Sequence, residues 1–345
     1  MTYKPAPAMV EMLMPIWQRV LQRSSIEVDD NFFSLGGSLR SADLLFAAIE
    51  QQSGRKLPSA TIYHAQTIAA LASLLEEPTL PRFSPLVQVK AGCEKPPILI
   101  VHGLAGTVPF FGLAQHIRTA HPVYGIQAKG VDGMEEPIDC IEDMATFYLD
   151  SIKGLQPHGP YVLVGYSFGG LVALEMAQRM TRHGEKVALL VLVDAYPHLR
   201  YLSPGQRLGL IARRAIRIIF EMNTRLPRAA RRLERRLRAA GVQSARNRLP
   251  ETSRLSFEQT TLRVKDKAYV ALARYRPRFY SGKIKFVKSE GDSYYPADPV
   301  AVWVNLAAEF EFEIVPGGHL DMVTTGFESL AAVLTRYVEE ALPLE

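Results

Sequence analysis

Residues 161–180 read YVLVGYSFGGLVALEMAQRM, and this stretch decides the fold. Its first residues are apolar, as in a buried β-strand, and its later residues have the mixed composition of a helix. Between them stands the pattern G-x-S-x-G, from Gly165 to Gly169, with Ser167 at its centre. The glycines remove side chains that would clash at a sharp turn, and the following helix N-terminus favours negative charge near the serine hydroxyl. The stretch therefore predicts a strand, a turn that presents a nucleophilic serine, and a helix. An incidental serine in a glycine-rich turn is the alternative.

Short apolar runs recur from about residue 86 onward, and most are separated by amphipathic helical patterns. Fully apolar runs of four or five residues between helices are typical of parallel strands covered on both faces. The sequence therefore predicts an α/β domain with a doubly wound sheet. The runs are ILIV (98–101), VYGI (123–126), YVLV (161–164), LLVLV (189–193), IKFV (284–287) and FEIV (312–315).

The first 77 residues have a different, all-helical pattern. We predict helices over 8–22, with a kink at Pro15, over 39–53 and over 67–75. The second helix would turn Leu45, Ala48 and Ile49 inward, and Thr67 would cap the third. The following EEPTLPRFSP has three prolines in ten residues and is typical of a linker. The predicted organisation is a small helix bundle over 1–77, a linker over 78–95 and the α/β domain over 96–345.

An arginine-rich segment interrupts the α/β pattern between the fourth and fifth apolar runs. Residues 201–254 hold fourteen arginines, no lysine and three glutamates. Such a block could indicate nucleic-acid binding, but the arginines lie between apolar residues at helical spacing, and Tyr201 and Phe220 are the only aromatic residues in 201–254, too few for a base-stacking surface. We therefore predict a solvated face on two helices, the first beginning at Ser203-Pro204 and the second ending near Gly241. These helices would form a lid over about 200–262.

Composition narrows the functional classes further. No apolar run reaches the roughly 18 residues that a membrane span requires, and the N-terminus lacks the order of a secretory signal. The two cysteines, Cys93 and Cys140, have no metal-binding or redox spacing. We therefore expect a cytoplasmic protein that binds no metal ion, no membrane and no nucleic acid.

A nucleophilic serine needs a base and an orienting acid. His319 follows the last apolar run in VPGGHLDM, which makes it the candidate base. Two acids, Asp194 and Asp292, follow strands whose ends should meet at one edge of the sheet. The developing oxyanion would be bound by the backbone N–H groups of Phe168 and of Leu104 in VHGLAGTV. His102, which opens that loop, is better explained as part of the oxyanion loop than as the base.

Residues 86–342 resemble a type I thioesterase domain, the kind that ends non-ribosomal peptide synthetase and polyketide synthase assembly lines. The motifs that carry the resemblance are VHGLAG, GYSFGG, LLVLVDAYP and PGGHLDM. The resemblance implies an α/β-hydrolase fold with a helical lid insertion. In that family the acid usually follows the strand after the nucleophile helix, as Asp194 does in VLVDAYP, so the resemblance favours Asp194 over Asp292.

Residues 8–76 resemble a peptidyl carrier domain through IWQRVL, IEVDDNFFSLGG and LPSATIYHAQTIAALA. Such domains carry a 4'-phosphopantetheine arm on a serine just after a Gly-Gly pair, where helix N-terminal amides suit the phosphodiester. Ser38 is the matching residue, and an ordinary helix cap is its alternative role. The family has one residue between Gly-Gly and the serine, whereas Gly36-Gly37-Ser38-Leu39 has none. Either the loop is one residue shorter than in the family, or a chemically modified serine next to Ser38 is missing from the one-letter sequence. The arm is therefore expected at or next to Ser38.

Together the two resemblances imply a chain-releasing thioesterase that takes an acyl or peptidyl chain from the arm onto Ser167 and releases it by hydrolysis or macrocyclisation. The implied partners are upstream synthetase domains, a phosphopantetheinyl transferase and the acyl or peptidyl thioester. The start, YKPAPAMVEM, resembles the linker after an adenylation domain. Two alternatives remain: an editing thioesterase, and a carrier or binding module that hands chains to a partner beside a vestigial hydrolase.

Overall fold

The computed structural model describes residues 7–77, 83–198, 256–291 and 298–343, together with positions 202, 204, 205, 207 and 208. The two helices predicted in the arginine-rich segment and most of the predicted lid at 200–262 lie outside the described residues, as does Asp292. The chain divides into two compact units. The helices and strands given below belong to the first unit, which comprises residues 1–198, 255–293 and 298–345.

The N-terminal part is a small helix bundle, as predicted. It consists of α1 (Pro7–Leu21), α2 (Leu39–Ser53), a 3₁₀ helix (Ser59–Tyr63) and α3 (Ile68–Glu76).

The sequence predictions for this bundle are confirmed for the three α-helices. Leu45 and Ile49 are fully buried in the bundle core, and the Thr67 side chain caps α3 by accepting a hydrogen bond from the Ala70 N–H at 3.1 Å. Helix α1 runs on through Pro15. The 3₁₀ helix was not predicted, because a single tight turn is too short to show a period in the sequence.

The rest of the first unit is built on a seven-stranded sheet. Its strands are β1 (Leu86–Lys90), β2 (Ile98–Val101), β3 (Val123–Ile126), β4 (Tyr161–Tyr166), β5 (Val187–Val193), β6 (Tyr280–Ser289) and β7 (Ala307–Val315). Their order across the sheet is β1-β3-β2-β4-β5-β6-β7. Neighbouring strands are parallel except β1, which runs antiparallel to β3.

All six predicted strands are present and run parallel to one another, and β1 adds a seventh, antiparallel strand that was not predicted. This strand lies inside the segment predicted as a linker. It alternates, with Val87 and Val89 buried and Gln88 exposed, as an edge strand with only one covered face does. The prediction missed it because it searched for fully apolar runs, and β1 is not one.

Helices cover both faces of the sheet. They are α4 (Phe111–His116), α5 (Ile141–Leu155), α6 (Phe168–Arg182), α7 (Phe257–Arg274), α8 (Val300–Trp303), α9 (Asp321–Thr324) and α10 (Glu328–Ala341). In β5, Leu192 points toward Gly170 of α6, whereas Val191 and Val193 join the core that contains Leu330 of α10. Since successive strand residues point to opposite faces, α6 and α10 lie on opposite faces of the sheet.

The parallel direction of β4 to β7 brings their carboxyl ends to one edge. Three loops leave the sheet there: the turn from β4 into α6, the segment after β5 and the loop between β7 and α9. In open α/β sheets this edge is where ligand sites form. The three loops carry Ser167, Asp194 and His319.

Candidate active site

Ser167 occupies a strained turn between β4 and α6. Its φ of +55° and ψ of −122° lie outside the regions that residues other than glycine normally adopt. The turn is held by a hydrogen bond from the Ser167 N–H to the Val193 carbonyl at 2.8 Å. A Cβ atom at Gly169 would lie 2.1 Å from the His102 carbonyl oxygen, so only glycine fits there. The G-x-S-x-G pattern therefore has the backbone reason that the sequence suggested.

His319 links the serine to an acid. Its Nε2 lies 3.0 Å from Ser167 Oγ, and its Nδ1 lies 3.0 Å from Asp194 Oδ2. In the tautomer with a proton on Nδ1, the imidazole donates to the carboxylate and accepts the serine hydroxyl hydrogen. The structure therefore brings together the serine, the histidine and one of the two acids that sequence analysis selected.

Asp194 is fully buried at the end of β5. Its φ of +46° is also unusual for a residue other than glycine, and its N–H donates to the Val287 carbonyl at 2.8 Å. Both carboxylate oxygens accept from Ser289, Oδ1 from the backbone N–H at 3.1 Å and Oδ2 from the hydroxyl. Sequence reasoning missed Ser289. The available signal was that a polar residue ends β6, the strand that pairs with β5.

Tyr166 holds the histidine from the other side. Its hydroxyl donates to the His319 carbonyl oxygen at 2.8 Å, and its ring stacks on the imidazole with 5.0 Å between centroids. The phenol is buried. Sequence reasoning treated Tyr166 only as a variable position of the G-x-S-x-G pattern, because nothing in the pattern relates it to a residue about 150 positions away.

The two predicted oxyanion donors belong to segments that touch. Phe168 is the first residue of α6, so its N–H has no acceptor within the helix. Leu104 lies in the loop after β2, and the close approach of His102 to Gly169 brings the start of that loop against the start of α6. That these two amides share one oxyanion stays a prediction.

His102 is completely buried and both of its ring nitrogens are engaged. Nδ1 lies 2.6 Å from the Gly103 carbonyl oxygen, and Nε2 lies 2.7 Å from the Tyr148 hydroxyl. Burial lowers the pKa of His102 to about 4, so the ring is neutral at physiological pH, donating from Nδ1 and accepting at Nε2. The ring also stacks on Phe168, 6.2 Å between centroids. These contacts make His102 a support of the loop and leave it no free nitrogen to serve as a base.

Residues 96–337 match the family described as "Thioesterase domain", and residues 12–75 match "Phosphopantetheine attachment site". The chain belongs to the thioesterase domain family. Its fold is the α/β-hydrolase fold of that family, preceded by a helical carrier region.

Relatives of this thioesterase are far longer proteins. A dimodular nonribosomal peptide synthase of Bacillus subtilis (strain 168) is 36% identical over 196 residues, which are 56% of this chain and 8% of that protein. The indigoidine synthase of Dickeya dadantii (strain 3937) is 36% identical over 198 residues, 57% of this chain and 13% of that protein. The chain therefore spans a small part of the length of these relatives.

Solved structures share the fold of this thioesterase. Holo-AB3403, a four-domain nonribosomal peptide synthetase bound to AMP and glycine, aligns with a TM-score of 0.58 over 99% of this chain and 26% of that chain, at 20% identity. The wild-type Vlm2 thioesterase domain aligns with a TM-score of 0.50 over 73% of this chain and 96% of that chain, at 22% identity.

The match at residues 12–75 indicates a covalently attached 4'-phosphopantetheine. Ser38 fits this group: it is exposed and caps the 15-residue helix α2, which has no acidic residue in its first turn. The Ser41 N–H donates to Ser38 Oγ at 3.2 Å, and the Ser38 N–H donates to Ser41 Oγ at 2.6 Å. Helix N-terminal amides of this kind suit a phosphodiester. Attachment at Ser38 itself, as opposed to a position next to it, stays a prediction.

Among the described residues, no group of three or more His, Cys, Asp or Glu side chains could hold a metal ion. Within the same described ranges, no helix combines the length and the apolar character that crossing a membrane requires.

Proposed function

We propose that this chain is a chain-releasing thioesterase that uses Ser167, His319 and Asp194 as nucleophile, base and orienting acid. The observation that carries the proposal is the position of the His319 ring, with one nitrogen 3.0 Å from the serine hydroxyl and the other 3.0 Å from the carboxylate. This arrangement satisfies the distances that general-base activation of a serine requires.

The reaction begins with the serine hydroxyl and a thioester carbonyl. The phosphopantetheine arm supplies the acyl or peptidyl chain as a thioester. Ser167 Oγ attacks the carbonyl carbon while His319 Nε2 takes the hydroxyl proton, and Asp194 stabilises the imidazolium that forms. The N–H groups of Phe168 and Leu104 hold the negative oxygen of the tetrahedral intermediate. When the carbon–sulfur bond breaks, His319 returns the proton to the leaving sulfur, and the chain remains as an ester on Ser167.

Release uses the same residues in a second cycle. His319 removes a proton from water, or from an amine or hydroxyl of the chain itself, and that nucleophile attacks the ester carbonyl. Collapse of the intermediate returns the proton to Ser167 Oγ and frees an acid or a macrocycle. The two outcomes differ only in the second nucleophile.

The proposed organisation is a carrier over residues 1–77, a linker over 78–95, of which residues 86–90 join the hydrolase sheet as β1, and the hydrolase over 96–345. Covalent connection of carrier and hydrolase gives an effective concentration on the order of millimolar for a short flexible linker. The proposed partners are upstream synthetase modules, which load the chain, and a phosphopantetheinyl transferase, which attaches the arm. An editing thioesterase is less well supported, since editing would not require a carrier on the same chain.

The alternative of a vestigial hydrolase is tested by labelling the full chain with a fluorophosphonate probe. The probe should modify the wild-type protein at Ser167 and leave the Ser167→Ala variant unmodified. A wild-type chain that resists the probe and releases no acyl group from its arm would favour a carrier or binding module instead.

A further inference from the structure

The helix bundle and the sheet domain share an aromatic cluster. Phe33, in the loop before α2, stacks on Phe111 of α4 with 4.4 Å between centroids and 13° between planes. Tyr63, at the end of the 3₁₀ helix, stacks on Phe33 with 5.3 Å between centroids and exposes only 2% of its surface. Tyr63 belongs to the hydrophobic core of the sheet domain, not to that of the bundle. A carrier residue thus completes the core of the hydrolase.

Tyr63 reaches the loop that carries the predicted oxyanion donor. We define residues 102–110, between β2 and α4, as the oxyanion loop. The Tyr63 hydroxyl faces the Thr107 side chain and the Val108 backbone N–H, which favour the ionised phenol, while burial has the larger effect and raises the pKa of Tyr63 well above its ordinary value. Val108 and the nearby Phe110 of the same loop are buried. The carrier therefore packs directly against the oxyanion loop.

A second contact from the carrier reaches the same loop through a helix. Asp43 of α2 accepts hydrogen bonds on Oδ1 from the Ser59 hydroxyl at 2.5 Å and from the Phe257 N–H, the first of α7, at 3.2 Å. About two turns further along α7, Val264 lies against the loop, because a Cβ atom at Gly106 would approach its Cγ1 to 2.5 Å. Asp43 thus caps the helix that packs on the oxyanion loop.

We propose that the seated carrier positions the oxyanion loop, with Tyr63 and Phe33 acting directly and Asp43 acting through α7. This inference rests on the proposed function of the hydrolase. A carrier must leave the hydrolase to be loaded by upstream domains, and departure removes both supports of the loop. Acyl transfer to Ser167 is then fast only while a carrier is seated, which protects the enzyme from consuming thioesters that the assembly line did not deliver. These three are positioning residues and touch no reacting atom.

The test uses the full chain and a small acyl thioester of N-acetylcysteamine, which reaches Ser167 without the arm. If the carrier only delivers substrate, changes at its surface leave hydrolysis of this compound unaltered. If it positions the loop, Tyr63→Phe, Phe33→Ala and Asp43→Ala should each lower kcat about three- to tenfold with little change in KM. That loss is a fraction of the roughly hundredfold or greater cost of removing an oxyanion donor outright. Matched controls are Tyr269→Phe and Phe279→Ala, at exposed positions of the sheet domain, which should keep the wild-type kcat.

A variant on the hydrolase side separates positioning from a general loss of stability. Thr107→Val removes the polar side chain that faces Tyr63, and if the two act as a pair, its effect on kcat should not add to that of Tyr63→Phe. Thermal unfolding of each variant checks that the fold is intact. Unchanged kcat on the small thioester in all three carrier variants, beside an active wild type and an inactive Ser167→Ala, would overturn the inference and leave the proposed function standing. A wild type that neither turns over the thioester nor binds the fluorophosphonate would overturn the proposed function instead.

Discussion

Ser289 gives both of its hydrogen-bond donors to the carboxylate of Asp194. The backbone N–H donates to Oδ1 at 3.1 Å and the hydroxyl donates to Oδ2, the oxygen that also accepts from His319 Nδ1. The acid of the proposed triad is therefore oriented by the neighbouring strand as well as by its own backbone. Because Asp194 is fully buried, no solvent replaces these bonds when one is removed.

The first prediction concerns this pair. Ser289→Ala removes the hydroxyl donor and leaves a buried charge with one partner fewer, which costs about 2 kcal/mol for a hydrogen bond to a charged group. We expect kcat for thioester release to fall on the order of tenfold and the unfolding midpoint in urea to decrease. Ser281→Ala, at an exposed position of the same strand, is the control and should change neither quantity. An unaltered kcat in Ser289→Ala would mean that the backbone alone orients Asp194.

The second prediction distinguishes the two candidate acids. Asp194→Asn keeps the side-chain shape but replaces the acceptor of the His319 Nδ1 proton, which favours the wrong imidazole tautomer. We expect kcat to fall on the order of ten-thousandfold if this residue acts as the acid does in serine proteases. Asp292→Asn should have a mild effect, measured in the same release assay. A larger loss in Asp292→Asn would show that the assignment of the acid is wrong.

The sequence predicted the structure best where all the residues that determine a feature lie in one short segment. The strand, turn and helix around Ser167 are contiguous, so their residues predict both the fold and the serine. Asp194 and Asp292 could not be separated in this way, since both follow strand ends, and a family resemblance was needed to favour one. The distance from His319 to Asp194 in the structure is independent support for that choice.

Contacts between segments that are distant in the sequence could not be predicted, for a physical reason. Ser289 and Tyr166 act through partners 95 and 153 positions away, and no local period records such a pairing. The stacking of Phe33 on Phe111 joins the helix bundle to the α/β domain, which were predicted as separate domains. Strand β1 was missed because its alternation is short and only one of its faces is covered.

The third prediction concerns the support of the base by Tyr166. Tyr166→Phe removes the hydrogen bond to the His319 carbonyl but keeps the ring that stacks on the imidazole, whereas Tyr166→Leu removes both. We expect kcat to fall about threefold to tenfold in the first variant and further in the second, with KM nearly constant, because the group acts on the base and not on substrate binding. Equal rates in the two variants would show that stacking contributes nothing. A matched control is Tyr269→Phe, at an exposed position of α7.

The last prediction concerns stability at acidic pH. Burial lowers the pKa of His102 to about 4, whereas an unfolded histidine titrates near 6.5. Between these values the unfolded chain binds a proton that the folded chain does not, so this residue's contribution is complete above about pH 6.5 and is lost as the pH falls toward 4. The full contribution to the free energy of unfolding is on the order of 3 kcal/mol.

Urea unfolding at pH 7 and pH 4.5 should therefore show a smaller loss of stability on acidification in His102→Asn than in wild type, even if the variant is less stable at pH 7. His183→Gln, at an exposed helix end, should retain the wild-type difference. Should His102→Asn lose as much stability as wild type over this range, the buried imidazole would not be a source of acid sensitivity.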